Sequence, residues 1–131
     1  DLHRLIRRQR QMCIRDRGKI VVHMLGDASI GMAGLDFETA VRENIPILSI
    51  VLNNSRFGGY DRMLPIATER YNIDRVGGDY TKVAEALGFH SERIEQPADI
   101  VPAIERAKRV LAAGQPAFLE IITRVDTDFS S

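Results

Sequence analysis

Short apolar runs of strand character alternate with segments of helical periodicity from Lys19 onward, and this alternation constrains the fold more than any other feature. The runs lie at residues 19–25, 47–52, 89–94 and 117–124. Because strands that alternate with helices usually pair in parallel, the pattern predicts an α/β fold, doubly wound, with a mainly parallel sheet and helices on both faces. The first run, KIVVHML, is nearly continuous in apolar character, which predicts a central strand covered on both faces.

Three helices are predicted between these strands. The first carries Phe37, Ala40 and Val41 on one face and ends before Pro46. The second is bounded by an N-cap at Asp79 and a left-handed Gly88. Its predicted buried stripe comprises Tyr80, Val83, Ala84 and Leu87. The apolar face of the third and longest helix comprises Ile100, Ile104, Ala107 and Leu111.

Residues 55–78 contain four glycines and have no clear period, so we interpret them as a long ordered loop with a short helix. Within this loop, Phe57, Gly58, Gly59 and Tyr60 are interpreted as a segment that covers a bound ligand. The alternative is a mobile surface loop.

The first 17 residues differ in composition from the rest of the chain. They hold six Arg and two Asp, a net charge of +4, whereas the whole chain is neutral. The stretch QMCIRDR resembles translated sequencing-adapter read-through, so we interpret residues 1–17 as a non-native or disordered head. The alternative is a native basic helix or tail that binds an anionic surface. The remaining chain is predicted to be one N-terminally truncated domain, residues 18–125, with a polar tail at 126–131.

Composition excludes several classes of function. Eighteen Lys and Arg balance eighteen Asp and Glu without a basic face in the body of the chain, so we expect no nucleic-acid partner. No apolar run approaches the length of a membrane span, and the charged start lacks the apolar core of a secretory signal. The single Cys13 agrees with a reducing compartment. We therefore expect a cytoplasmic protein without a membrane partner.

Polar residues follow the first two predicted strands. Asp27 comes directly after the first strand and Asn54 after the second, and the carboxyl ends of parallel strands meet at one edge of a sheet. One carboxylate and one amide suit Mg²⁺ and leave it positive enough to attract an anionic diphosphate. The small residues Gly26, Ala28 and Ser29 let the backbone approach such a ligand closely. The structural alternative is an aspartate that caps a helix and asparagines that form a turn.

The stretch LGDASIGMAGLDFETAVRENIPILSIVLNNSRFGGY resembles the motif that runs from GDG to NN in thiamine diphosphate (TPP) enzymes. The resemblance covers about residues 19–123 and implies the TPP-binding fold of that family's C-terminal diphosphate-binding domain. It implies that the side chains of Asp27 and Asn54 and the main-chain carbonyl of Arg56 bind Mg²⁺, and that Asn53 orients the turn. The implied cofactor-binding residues are Gly26, Asp27, Ala28, Ser29, Asn54, Arg56, Phe57 and Gly58.

The chain departs from the family pattern in two respects. Ala28 stands where the family most often has glycine, and we expect binding to survive if this position does not need a positive φ. The glutamate that activates the cofactor belongs, in this family, to a separate pyrimidine-binding domain that a neighbouring subunit usually presents. We therefore assign no catalytic residue to this chain and expect it to be inactive alone.

The segments GMAGLDFETAVREN and LPIATERY resemble acetolactate-synthase-like members of the family. This implies an enzyme that acts on 2-keto acids by decarboxylation and carboligation, as a homodimer or homotetramer. The alternatives are relatives of 2-hydroxyacyl-CoA lyase, oxalyl-CoA decarboxylase or benzoylformate decarboxylase, which share the motif. An alternative of another class is a non-catalytic fragment or partner-binding subunit. A dinucleotide-binding domain is disfavoured because GDASIGMAG lacks the G-x-G-x-x-G pattern.

Overall fold

The computed structural model describes residues 19–125, and the predictions for residues 1–17 and 126–131 lie outside that range. The strands are β1 (Val21–Gly26), β2 (Ile47–Asn53), β3 (His90–Ile94) and β4 (Ala117–Ile122). The α-helices are α1 (Ile30–Ala33), α2 (Asp36–Arg42), α3 (Tyr60–Met63), α4 (Pro65–Tyr71), α5 (Tyr80–Ala86) and α6 (Ile100–Ala112). Two short 3₁₀ turns cover Asp27–Ser29 and Pro97–Asp99.

The four described strands form one parallel sheet in the order β1-β2-β4-β3. The chain moves in one direction across the sheet from β1 to β3 and then turns back to β4. Because crossovers between parallel strands are right-handed, this reversal places α6 on the face opposite α2 and α5. The predicted doubly wound α/β fold, with helices on both faces, is confirmed.

Each face of the sheet has its own apolar core. On one face, Ala103, Ala107 and Leu111 of α6 pack against Leu48 and Leu119 of the central strands. The core of the opposite face contains Phe37, Val51, Tyr80, Ala84, Phe89 and Phe118. The two central strands, β2 and β4, are therefore covered on both sides.

The predictions for the helices hold with one exception. Asp79 caps α5 by accepting a hydrogen bond from the Lys82 N–H at 3.1 Å, and Gly88 follows this helix with a φ of 95°. Val83, predicted to be buried, is 44% exposed because α5 turns Tyr80 and Ala84 toward the sheet instead. The loop predicted at residues 55–78 contains two short helices, α3 and α4, rather than one.

The prediction that β1 is central is wrong for the described sheet, where β1 lies at the edge. Leu25 packs into the core below α2, but Val22 and Met24 face the side of α6 and are 49% and 62% exposed. The apolar run at residues 19–25 predicted the strand itself correctly. It could not show which strand has a neighbour on each side, since that depends on pairing between distant segments.

None of the helices within residues 19–125 combines the length and the apolar character that a membrane crossing requires.

Candidate functional site

The carboxylate of Asp27 joins the turns that follow β1 and β2. Gly26 pairs with Leu52 in the parallel register, so Asp27 and Asn53 leave the sheet side by side. Asp27 is only 3% exposed. Its Oδ1 accepts a hydrogen bond from the Ala28 N–H at 2.9 Å, and its Oδ2 accepts one from the Ser55 N–H at 2.7 Å. The structure thus brings the two predicted segments together at the carboxyl ends of the strands.

The paired asparagines shape the turn after β2. Oδ1 of Asn53 accepts hydrogen bonds from the Ser55 N–H at 2.9 Å and the Ser55 hydroxyl at 3.2 Å. Oδ1 of Asn54 accepts one from the Arg56 N–H at 3.0 Å. Ser55 has a φ of 58°, the left-handed conformation that such turns require. The Ser55 N–H is therefore shared between Asn53 and Asp27.

Ala28 lies in the 3₁₀ turn after β1, and its φ is not positive. An alanine therefore introduces no backbone strain at the position where the family most often has glycine. Ser29 is the last residue of the same turn and directly precedes α1. The position of Ala28 therefore does not need a positive φ, as the sequence analysis required for binding. Contact of Ala28 and Ser29 with a diphosphate stays a prediction.

The loop that follows the turn after β2 is held by contacts of Arg56 and Phe57 with Asp74. Arg56 Nη1 forms a 2.6 Å ion pair with the buried Asp74, and the Phe57 N–H donates to the Asp74 carbonyl at 2.7 Å. The ring centroids of Phe57 and Tyr60 lie 5.1 Å apart, so residues 57–60 fold back on themselves. Gly58 is exposed between them. Asp74 was not identified from the sequence, where it lies in a stretch without periodicity.

A third buried carboxylate, Glu120 of β4, contacts the turn after β2 through Asn53 and was also missed. It is fully buried, and its Oε1 accepts hydrogen bonds from Asn53 Nδ2 at 2.6 Å and Arg93 Nη1 at 3.3 Å. Its Oε2 accepts from the Thr81 N–H at 3.0 Å and the Thr81 hydroxyl at 2.6 Å. The available signal was the presence of one acidic residue in the apolar run AFLEII. A strand covered on both faces must bury such a side chain.

The electrostatics of the site are negative. Burial raises the pKa of Tyr80, and the nearby charges of Asp27 and Glu120 raise it further. Within the described range, Asp27 forms no ion pair with a basic side chain. A buried carboxylate without a basic partner is costly unless a cation approaches it. The site is therefore suited to a positive ion.

The donors at these strand ends fit Mg²⁺ together with a phosphate group. Residues 19–125 contain no group of three His, Cys, Asp or Glu side chains placed to hold a metal. A metal beside Asp27 would therefore depend on neutral protein oxygens, and the Asn54 amide and the Arg56 carbonyl lie in the adjoining turn. Mg²⁺ accepts such mixed oxygen sets and takes the rest of its shell from phosphate and water. Ligation of Mg²⁺ by Asp27, Asn54 and the Arg56 carbonyl stays a prediction.

His23 lies in the middle of β1, away from the strand ends. The centroid of its ring lies 6.4 Å from that of Phe37 in an edge-to-face arrangement, and burial lowers its pKa. A packing role accounts for these contacts, and we assign it no chemistry.

Comparison with known proteins agrees with the fold and the motif. The family model "Thiamine pyrophosphate enzyme, C-terminal TPP binding domain" matches residues 10–121. A probable acetolactate synthase of Mycobacterium bovis is 35% identical over 106 residues, which cover 79% of this chain and 19% of the relative. A glyoxylate carboligase of Escherichia coli is 30% identical over 132 residues, covering 91% of this chain and 22% of the relative.

A solved structure gives the same result. The thiamine diphosphate-dependent 4-hydroxybenzoylformate decarboxylase of Rhodococcus jostii superposes with a TM-score of 0.74 at 27% identity, covering 90% of this chain and 22% of its own. The chain therefore spans about a fifth of the length of these relatives. The match to the family model extends over most of the chain and includes both strand ends that form the site. This chain belongs to the thiamine diphosphate-dependent enzymes and carries the TPP-binding domain of an acetolactate-synthase-like member.

Proposed function

We propose that the chain binds thiamine diphosphate through a Mg²⁺ ion held at the strand ends by Asp27, Asn54 and the carbonyl of Arg56. The observation that carries this proposal is the buried Asp27 carboxylate, which has two backbone N–H donors and no basic partner in the described chain. Oxygens of this kind gain most from a hard cation. The family assignment supports the cofactor, and the donor chemistry supports the metal.

The neighbouring residues have distinct proposed roles in binding. Ala28 and Ser29 follow Asp27 in a tight turn, where their backbone can approach a diphosphate without hindrance from bulky side chains. Phe57 and Gly58 lie in the loop that Arg56 and Asp74 anchor, and we assign them to the edge of the cofactor site. When bound, the cofactor supplies the electron sink for cleavage next to a carbonyl, and the protein supplies its position.

For the parent protein we propose decarboxylation of a 2-keto acid and ligation of the product to a second carbonyl compound. Support comes from the acetolactate synthases and the glyoxylate carboligase among the relatives. The alternatives are a 2-hydroxyacyl-CoA lyase, an oxalyl-CoA decarboxylase or a benzoylformate decarboxylase type of reaction. A lyase of the first kind is 29% identical to this chain, and a decarboxylase of the last kind resembles it in structure.

The isolated chain is proposed to depend on a pyrimidine-binding domain of the same or a neighbouring subunit, within a homodimer or homotetramer. Exposed apolar side chains beside the site support a docking surface for that domain. They lie on α3, on α4 and at the residue between them, and comprise Met63, Leu64, Ile66 and Tyr71. The rival proposal, a non-catalytic partner-binding subunit, shares this surface but does not require metal-dependent cofactor binding.

Calorimetric titration of the full chain with thiamine diphosphate, with and without Mg²⁺, tests the binding proposal. We expect binding only with Mg²⁺ and no heat with NAD, the control for a dinucleotide site. Binding that does not depend on the metal would reject the proposed donor set. If a folded chain does not bind, adding the pyrimidine-binding domain of a complete relative separates a missing partner from a degenerate site. Binding restored by that domain supports the proposal.

A matched pair of variants assigns the effect to the strand-end site. Asp27→Asn removes one negative charge at the proposed metal position, and Glu105→Gln removes one from the exposed face of α6. We expect the first to abolish Mg²⁺-dependent binding and the second to retain it. Equal affinity in both variants would show that Asp27 is not a metal ligand.

A further inference from the structure

We propose that Glu120 is a positioning residue that fixes the orientation of the Asn53 amide and thereby holds the Ser55 N–H over Asp27. This inference rests on the proposed function of the strand-end site, since it concerns how tightly that site binds Mg²⁺ and diphosphate. Glu120 lies in β4 and is fully buried. It therefore acts through its neighbours rather than by contact with a ligand.

The first step is the orientation of the Asn53 amide. An ionised carboxylate only accepts hydrogen bonds, so only the NH₂ group of Asn53 can face Glu120 Oε1, at 2.6 Å. The Oδ1 of Asn53 must then point the opposite way, toward the turn. There it accepts the hydrogen bonds of Ser55, at 2.9 Å from the backbone N–H. A reversed amide would place two acceptors against each other at Glu120 and a donor against the Ser55 N–H.

The second step connects the turn to the proposed metal ligand. The same Ser55 N–H donates to Asp27 Oδ2 at 2.7 Å. This contact fixes the position of one carboxylate oxygen of Asp27 relative to the turn after β2. One continuous chain of hydrogen bonds therefore runs from Glu120 through Asn53 and Ser55 to Asp27.

Two further residues hold Glu120 itself through three hydrogen bonds. Oε2 accepts from the N–H and hydroxyl of Thr81 in the first turn of α5. Arg93, its register partner on β3, donates to Oε1 at 3.3 Å and supplies a compensating positive charge. Thr81 therefore occupies Oε2, while Oε1 is shared between Asn53 and Arg93.

The experiment compares Glu120→Gln with Thr81→Val in the full chain. Both variants disturb the buried contacts of Glu120, but Thr81→Val removes only the hydroxyl and leaves Asn53 untouched. We expect Glu120→Gln to weaken binding of Mg²⁺ and thiamine diphosphate by at least about tenfold, because the charge of the acceptor is lost and the new NH₂ group either opposes the Thr81 N–H or turns toward Asn53 and lets that amide reverse. Thr81→Val is expected to stay within about twofold of the wild type. Equal losses in both variants would assign Glu120 a general packing role and overturn the proposal.

A double-mutant cycle distinguishes a positioning role of Glu120 from a general loss of stability. Asn53→Ala removes the group through which Glu120 is proposed to act. Adding Glu120→Gln to Asn53→Ala should then cost no further affinity, because the two residues act in series. Independent, additive losses would contradict the positioning role.

Hydrogen exchange of the Ser55 amide tests the inference separately from the cofactor. In metal-free protein, exchange at Ser55 should accelerate by at least about tenfold in Glu120→Gln and in Asn53→Ala, but not in Thr81→Val. If the wild type does not bind cofactor even with the pyrimidine-binding domain of a complete relative added, while exchange follows this pattern, the proposed function fails and the positioning role of Glu120 stands. If Glu120→Gln does not fold, Asn53→Ala is decisive, because unchanged exchange and affinity in that variant reject the role of Asn53.

Discussion

Asp27 and Glu120 are both buried carboxylates near the carboxyl ends of the strands, but their surroundings differ. Glu120 accepts hydrogen bonds from four donors, which are the Asn53 amide, the Thr81 N–H and hydroxyl, and the Arg93 guanidinium. Within residues 19–125, Asp27 accepts two, both from backbone N–H groups. Since an ionised carboxylate has about four acceptor sites, Glu120 is fully satisfied, whereas Asp27 keeps roughly two free of contacts from the described residues.

This difference separates a carboxylate that belongs to the architecture from one available to a ligand. A fully hydrogen-bonded buried charge with a guanidinium beside it stabilises the packing around it, and its removal leaves several donors unpaired. A buried charge without a basic partner is costly in the free protein and gains when a cation binds. We therefore expect substitution of Glu120 to lower the stability of the free protein. Substitution of Asp27 should instead lower the stabilisation that a bound ligand provides.

Glu120→Ala is expected to produce the largest loss of stability. It leaves the amide of Asn53, the groups of Thr81 and the charge of Arg93 without their common acceptor. We expect the free energy of unfolding to fall by about 3 kcal/mol, the range for removal of one member of a buried ion pair. Urea denaturation followed by circular dichroism measures this, with Glu105→Gln as a surface control. A loss below about 1 kcal/mol would show that Glu120 is not essential to the packing.

Asp27→Asn is expected to change the stability only when ligand is present. In metal-free buffer its free energy of unfolding should stay within about 1 kcal/mol of wild type, because relief of an unpaired buried charge offsets the loss of one of the two backbone hydrogen bonds, which the NH₂ group of asparagine cannot accept. At a thiamine diphosphate concentration of about 100 times its Kd, with Mg²⁺, the wild type should gain about 2.7 kcal/mol and the variant nothing. Thermal unfolding with and without ligand checks both halves. Equal ligand stabilisation of both proteins would contradict the assigned role of Asp27.

The contrast between the two carboxylates also shows what the sequence could and could not predict. Asp27 and Asn54 are predicted as ligands because each lies one residue beyond an apolar run, and parallel strands bring such positions together. Glu120 was missed because it lies inside a run rather than after one. Its partners Asn53, Thr81 and Arg93 come from three other elements, and no local pattern indicates that these residues meet.

For the fold, too, the sequence predicted the features that depend on local periodicity. The strands and the three predicted helices agree with the structure in position, because their apolar residues repeat within one segment. The edge position of β1 and the exposure of Val83 were predicted wrongly, since both depend on which distant elements cover them. Local pattern determines an element, whereas its neighbours determine its burial.

Ser55→Val tests how far the turn that joins the two carboxylates depends on backbone conformation. Ser55 has a φ of 58°, which a β-branched residue adopts only at a cost of about 1–2 kcal/mol. Ser55→Gly keeps the N–H to Asp27 without this strain and should stay within about 0.5 kcal/mol of the wild type. Chemical denaturation of both variants measures the difference. Similar stabilities for valine and glycine would mean that the turn relaxes to another conformation.

Glu92→Gln gives the smallest expected effect and extends the comparison to a carboxylate at the surface. Hydrogen bonds from Arg106 lower the pKa of Glu92, and His90 lowers it further. A carboxyl group whose pKa is lower in the folded state stabilises the fold above its unfolded pKa, and this contribution disappears as the pH falls through the folded pKa. The wild type should therefore exceed Glu92→Gln in stability at neutral pH by a margin that vanishes in acid.

Because the pair of Glu92 and Arg106 is partly solvated, 1 M salt should reduce this margin, whereas the loss in Glu120→Ala should persist. Denaturation curves across the acid range, at low and high salt, measure both dependences. A margin for Glu92 that does not change with pH or salt would mean that its packing, rather than its charge, stabilises β3 against α6.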